Sequence, residues 1–115
     1  STNNKYGRNA FTVQESVNGQ AYTKYESSKQ TMANTLKYFP SATTDWTNNP
    51  AKKVVLYNDG TGDDTDYIIN LQIDGVYGDN ITLDAGDLPL TIEGLLVEKI
   101  KIISTDDVVA CLSFH

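Results

Sequence analysis

The chain has 115 residues, with nine basic and fifteen acidic side chains and a net charge of −6. This length supports one domain with a modest core, and the acidic balance argues against nucleic-acid binding, because nucleic-acid backbones attract basic surfaces. No apolar run approaches the roughly 20 residues of a membrane helix, and the first ten residues lack the apolar segment of a secretory signal, so we expect no membrane contact and synthesis in the cytoplasm.

The composition changes sharply near residue 50. Residues 1–50 contain three Val, Leu or Ile side chains, against 22 in residues 51–115. The first span has five basic and three acidic side chains, a balance of +2, and the second has four basic and twelve acidic, a balance of −8. Because aliphatic burial is the main term that offsets chain entropy, the first span cannot form a core alone. The sequence predicts an N-terminal arm and linker over residues 1–50 and a β-sandwich module over residues 51–115.

The arm carries seven of the eleven aromatic residues. Aromatic side chains with polar tips suit contacts between proteins, whereas disordered segments contain few of them. We therefore expect the arm to lie on the module, on a second subunit or on another protein, rather than to form a disordered tail. The candidate partner-binding residues are these aromatics and one basic residue: Tyr6, Arg8, Phe11, Tyr22, Tyr25, Tyr38, Phe39 and Trp46.

Within the arm, residues 10–17 (AFTVQESV) and 20–26 (QAYTKYE) flank the pair Asn18-Gly19. Asn-Gly favours the type I′ turn of a hairpin, in which both central residues need positive φ. Phe11, Val13 and Val17 give the first stretch one apolar side, which Glu15 interrupts. Residues 28–39 fit either a short helix or an extended segment, and Pro40 ends that run.

Six short strands are predicted in the module, over residues 52–58, 66–74, 80–84, 88–93, 95–103 and 107–115. Residues 66–74 (DYIINLQID) alternate with period two, which is typical of a half-buried strand. In the last strand Val109, Cys111, Ser113 and His115 share one face. Strands that recur about every ten residues predict an all-β fold, a small antiparallel β-sandwich or a jelly-roll-like module with an extended N-terminal arm.

Two irregularities are expected near the end of the module. Gly94 predicts a turn or bulge. In residues 95–103, Leu95 and Val97 have one parity, whereas Ile100 and Ile102 have the other. One extra residue near Glu98 and Lys99 would restore a single apolar face, so the pattern predicts a β-bulge there.

The residues of catalytic and metal sites are scarce. His115 is the one histidine and Cys111 the one cysteine, which are too few for a zinc site and a poor basis for a catalytic triad. We therefore predict no catalytic residues, no metal and no cofactor, and we expect Cys111 to be a buried, unreactive side chain. Residues 59–66 (DGTGDDTD) depart from the EF-hand pattern, so a calcium loop is the weaker alternative to a plain acidic turn.

The order of strands and turns from residue 66 resembles the small β-modules of tailed-phage virion proteins. The resemblance covers residues 67–75 (YIINLQIDG), 81–90 (ITLDAGDLPL), 94–103 (GLLVEKIKII) and 108–114 (VVACLSF). It implies a structural role in the virion, as a capsid decoration or cement protein that joins capsid subunits, or otherwise in the neck or tail. The implied partners are other virion proteins, above all the major capsid protein, and further copies of this chain in a homo-oligomer.

One alternative of a different class remains. Trp46, with Tyr38 and Phe39 nearby, would suit a carbohydrate-binding β-sandwich in which aromatic rings stack on sugars. Packing of the same rings at a protein contact is the competing interpretation, because Trp and Tyr are also enriched at interfaces.

Overall fold

The computed structural model describes residues 22–60, 66–104 and 108–115. These residues form nine strands and one short 3-10 helix, Ala85–Asp87. In chain order the strands are β1 (Tyr25–Thr31), β2 (Lys37–Phe39), β3 (Ala51–Asn58), β4 (Tyr67–Ile73), β5 (Val76–Tyr77), β6 (Ile81–Leu83), β7 (Leu90–Val97), β8 (Lys99–Ser104) and β9 (Val108–Phe114). The described part of the chain contains no helix long and apolar enough to cross a membrane.

The strands form two antiparallel sheets in a sandwich-like arrangement. The first sheet has the order β1-β9-β3-β7. The second has the order β2-β8-β4-β5, and β6 also pairs with β4. All pairings in both sheets are antiparallel. The predicted all-β class is confirmed, and the jelly-roll arrangement stays a prediction.

Alternating side chains of the central strands build the core between the sheets. Tyr67, Ile69 and Leu71 of β4 are buried, as period two predicts. Val109 and Cys111 of β9 meet them from the first sheet, and both belong to the same buried cluster. Ser113 and His115, which share this face of the last strand, are also buried.

Part of the span predicted as arm and linker belongs to the sheets. β1 pairs with β9 along its full length, from Tyr25 opposite Phe114 to Thr31 opposite Val108. β2 pairs with β8. Residues 28–39 therefore contain no helix, and they comprise the end of β1, a turn at Ala33 and Asn34, and β2. The predicted hairpin around Asn18-Gly19 lies outside the described residues.

The chain passes from the first sheet to the second at Glu98, which lies between β7 and β8. The bulge predicted there is wrong, and the reason is the change of sheet. Val97 and Ile100 both face the core, but they do so from opposite sheets, so their parity differs without an inserted residue.

A true irregularity occurs four residues earlier, at Gly94. The register of β3 against β7 shifts between Ala51, which lies opposite Val97, and Lys53, which lies opposite Glu93. Gly94 has a φ of +78°, a conformation that glycine adopts without the steric cost of a Cβ atom. The predicted turn or bulge at Gly94 is confirmed as a bulge in β7.

Candidate interaction surfaces

The eight residues predicted to bind partners do not form one surface. Three lie outside the described residues: Tyr6, Arg8 and Phe11. Tyr22 and Tyr25 pack on Phe114, with ring centroids 5.6 and 6.1 Å from that ring, on the outer face of the first sheet. The other three are divided between the outside of the second sheet, which holds Tyr38, and the core, which holds Phe39 and Trp46.

Trp46 is a core residue although it lies in a polar loop. Its side chain is 6% exposed. The indole Nε1 donates a hydrogen bond to Glu26 Oε1 at 3.1 Å, and the backbone N donates to the Glu98 carbonyl at 2.8 Å. Because both polar groups have partners, the ring is buried without an unsatisfied donor. The loop between β2 and β3 is thus attached to β1 and to the point where the chain changes sheet.

His115 lies beside the Trp46 ring and is completely buried. The two rings meet edge-on, with centroids 5.1 Å apart. His115 Nδ1 lies 2.6 Å from the Asn49 carbonyl, and Nε2 lies 2.9 Å from Ser113 Oγ. A carbonyl only accepts, so Nδ1 carries the proton and Nε2 accepts from the serine hydroxyl. Nδ1 thus holds the loop and Nε2 holds strand β9, and this arrangement leaves neither nitrogen for proton transfer to a substrate.

Burial has the largest effect on the pKa of His115 and lowers it. The hydrogen bond with the Asn49 carbonyl and the charge of Glu26 raise this pKa by less, and the charges of Lys24 and Lys52 lower it by less. The histidine of the unfolded chain has an ordinary pKa near 6.5. Between this value and the lowered pKa of the folded chain, the unfolded chain therefore binds more protons than the folded chain. We expect the free energy of unfolding to be highest above pH about 6.5 and to fall as the pH drops below it, by at most about 1.4 kcal/mol per pH unit. Urea unfolding at pH 8, 7, 6 and 5 measures this slope.

The control for that slope is His115→Gln, which has no titrating ring. Glu26 does not interfere above pH 5, since its hydrogen bond from Lys24 holds the pKa of its carboxyl below the ordinary value of 4.5. The variant should be less stable at every pH, but its stability should change less than that of the wild type between pH 7 and 5. An unchanged slope in the variant would show that another group causes the pH dependence.

A polar cleft of about 310 Å³ opens beside Trp46. Charged and amide side chains line it, including Glu26, Asp45 and Asn48. The Lys24 ammonium lies 2.9 Å from Glu26 Oε2, so both oxygens of this carboxylate have partners. The cleft presents hydrogen-bonding groups, and Trp46 is among its lining residues, but only 6% of this residue is exposed, so little of its ring is open to a sugar.

Lys99 fastens the same loop from the second sheet. Its ammonium donates hydrogen bonds to the carbonyls of Ala42 and Thr44, and it lies 5.1 Å from the centroid of the Tyr38 ring. The side chain is buried although it points away from the core, because the loop covers it. Buried ammonium groups need such oxygen partners. Lys99 therefore has a structural role.

We expect Lys99→Met to lower the free energy of unfolding by about 2 kcal/mol, because hydrogen bonds to charged groups contribute about 1.5–3 kcal/mol each and part of this is offset by the cost of burying the charge. Lys101→Met is the matched control, since Lys101 lies on the same strand and contacts only the Tyr77 ring among the interactions described for its ammonium. Thermal and urea unfolding measure both. Equal losses in the two variants would contradict the assigned role of Lys99.

An apolar groove, which the sequence does not reveal, lies at the β5–β6 edge of the second sheet. It has a volume of about 440 Å³ and is lined by Leu71, Ile73, Val76, Tyr77, Gly78, Asp79 and Ile81. Val76 is 68% exposed and Ile81 is 43% exposed. By strand register, Val76 lies opposite Ile73, and Ile81 lies opposite Ile69, so they share the core-facing side of their sheet. We call this feature the edge groove.

The structure gives no sign of metal or thiol chemistry in the part of the chain that it describes. Within residues 22–60, 66–104 and 108–115, no group of three or more His, Cys, Asp and Glu side chains could hold a metal ion. The alternative calcium loop, residues 59–66, lies largely outside these ranges. Burial raises the pKa of the Cys111 thiol to about 12, so the reactive thiolate is scarce at neutral pH. The prediction of a buried cysteine is confirmed.

No protein-family model matches the sequence, and no curated protein or solved structure is significantly similar to it. The resemblance of residues 67–114 to phage virion modules rests on the pattern of strands and turns alone.

Proposed function

We propose that this chain is a non-enzymatic structural protein of a tailed-phage virion. In this proposal it is a capsid decoration or cement protein that contacts the major capsid protein and joins neighbouring subunits. The alternative is a structural role in the neck or tail of the virion. The proposal combines the strand-and-turn pattern of residues 67–114 with the surface of the folded module.

The observation that carries the proposal is the exposure of aliphatic side chains on strands β5, β6 and β7. Val76 and Ile81 rim the edge groove, and Leu95 and Leu96 on β7 are 42% and 53% exposed. Large exposed apolar patches are rare on proteins that act as monomers and are typical of protein–protein contacts. An assembly in which neighbouring subunits cover these side chains accounts for their exposure.

The burial of Trp46 favours this role over carbohydrate binding. Sugar stacking needs an exposed ring face, and both Trp46 and Phe39 lie in the hydrophobic core. Of the three rings that would form the platform, only Tyr38 lies on a surface, where the Lys99 ammonium approaches its ring.

The test is fractionation of a lysate that contains intact particles of the phage encoding this chain. We expect the protein to sediment with the particles and to remain on them after washing at low and at high salt, since apolar contacts are insensitive to screening. Phe11→Ala should release it more readily than Arg8→Ala or Lys5→Ala, because exposed ion pairs contribute only about 0–1 kcal/mol each. Recovery of the wild type only in the soluble fraction would overturn the proposal.

A further inference from the structure

The second sheet extends beyond the first at the edge groove. Every side chain that lines the groove comes from β4, β5, β6 or the turns beside them, and none comes from the first sheet. Val76 and Ile81 have the parity of core residues, yet they are largely exposed. The core-facing side of the second sheet therefore has an apolar strip that the first sheet does not cover.

The edge of the first sheet on this side is β7. Glu98 follows β7 directly, and its Oε1 accepts hydrogen bonds from Gly75 N at 2.7 Å and from Gln72 Nε2 at 3.1 Å, which places β7 beside the β4–β5 turn. Among the described strands β7 pairs only with β3. Its other edge therefore has no partner strand within the described residues, and the backbone groups of such an edge can bind an added strand.

We propose that residues 10–17 of a neighbouring copy add as an antiparallel strand to β7 and cover the edge groove. This inference rests on the proposed role in joining subunits and names the contact. The added strand would extend the first sheet by one strand, with its backbone on β7. Alternate side chains would point onto the apolar strip, because successive residues of a strand face opposite sides.

The sequence of residues 10–17 (AFTVQESV) fits this position. Phe11, Val13, Glu15 and Val17 share one parity, so three apolar side chains and one carboxylate would face the strip, whereas Thr12 and Gln14 would face away from it. Charge is also complementary. Residues 1–21 have two basic side chains, Lys5 and Arg8, which precede the added segment, and one acidic side chain, Glu15, within it, a balance of +1; residues 66–104 have two basic and seven acidic, a balance of −5. Opposite charge steers such an encounter and selects the partner.

The strand must come from another copy because the chain's own segment cannot reach. From the pairings, an antiparallel strand on β7 runs in the same direction as β1, so Val17 would lie at the far end from the start of β1. Across the sheet, β1 and the added strand are four strand spacings apart, about 19 Å, and along the strand direction the seven residues from one end to the other add about 23 Å. The five residues from Val17 to Tyr22 extend at most about 18 Å, which is less than either distance alone.

Sedimentation velocity of the full chain over a range of concentrations tests the pairing. Val76→Asp removes the groove contact at an exposed position, and Phe11→Ser/Val13→Ser removes the arm contact. We expect the wild type to associate and each variant alone to associate at least tenfold more weakly. An equimolar mixture of the two variants should restore a heterodimer, because one supplies an intact arm and the other an intact groove. Circular dichroism checks that the variants are folded.

Thr12→Ala/Gln14→Ala is the control, because it changes only side chains that would face away from the groove. This variant should associate like the wild type. A wild type that stays monomeric, variants that associate unchanged, or a mixture that forms no heterodimer would each overturn the inference. The two proposals fail separately. Wild-type protein that remains on particles while the mixture fails overturns only the arm–groove pairing. A working mixture with no protein on particles overturns only the virion role.

Discussion

Phe39→Ala is expected to lower the free energy of unfolding by about 3–5 kcal/mol, the usual cost of truncating a buried aromatic ring. Phe39 is fully buried and lies on the three-residue strand β2, opposite Ile100 of β8. A loss of this size is a large part of the roughly 5–15 kcal/mol that stabilises a typical domain. Urea unfolding followed by circular dichroism measures it.

The matched control is Tyr38→Ala on the same strand. Tyr38 is half-buried and faces the outside of the second sheet, so its truncation should cost about 1 kcal/mol or less. Similar losses in the two variants would contradict the assignment of Phe39 to the core. Because Phe39 is a core residue, a loss of assembly in Phe39→Ala would be explained by unfolding and not by the loss of a binding contact.

Trp46→Ala is expected to cost about 3–5 kcal/mol, because it removes the ring that packs on His115 and leaves the Glu26 carboxylate without its indole donor. Trp46→Phe keeps an aromatic ring but loses the Nε1 donor, so we expect an intermediate loss of about 1–3 kcal/mol. Chemical unfolding followed by circular dichroism suits all three proteins. Wild-type stability in Trp46→Ala would show that the loop between β2 and β3 does not depend on this anchor.

The strands of the module could be predicted because their side chains alternate. The predicted strand over residues 66–74 agrees with β4 (Tyr67–Ile73), and the predicted strand over residues 107–115 agrees with β9 (Val108–Phe114). Both are central strands whose inner side chains must be apolar, so their hydrophobic pattern is strong. β5 was missed because two residues, Val76 and Tyr77, are too few to show any period.

β1 was missed for a different reason. Its core-side positions include Glu26 and Gln30, which satisfy polar groups instead of packing apolar ones: Glu26 accepts from Trp46, and Gln30 donates to the Tyr38 carbonyl at 3.1 Å. An edge strand of this kind has no hydrophobic period to detect. Only the register against β9 reveals its place in the sheet.

The edge groove could not be predicted because exposure depends on which strands cover which. Val76 and Ile81 read as ordinary core residues in the sequence, and they are exposed only because the second sheet extends past the first. Trp46 shows the opposite error. A polar loop predicts an exposed ring, but the contacts with Glu26, Glu98 and His115 bury it.

A single-particle reconstruction of the purified virion tests the central claim most directly. The account predicts density for the two-sheet module on the capsid, neck or tail, with the groove rimmed by Val76 and Ile81 covered by an extended segment of an adjacent copy. Phe11 and Val13 should lie on that groove, and Thr12 should face away from it. A reconstruction of complete particles with no density for this module, confirmed by its absence from their protein content, would contradict the account.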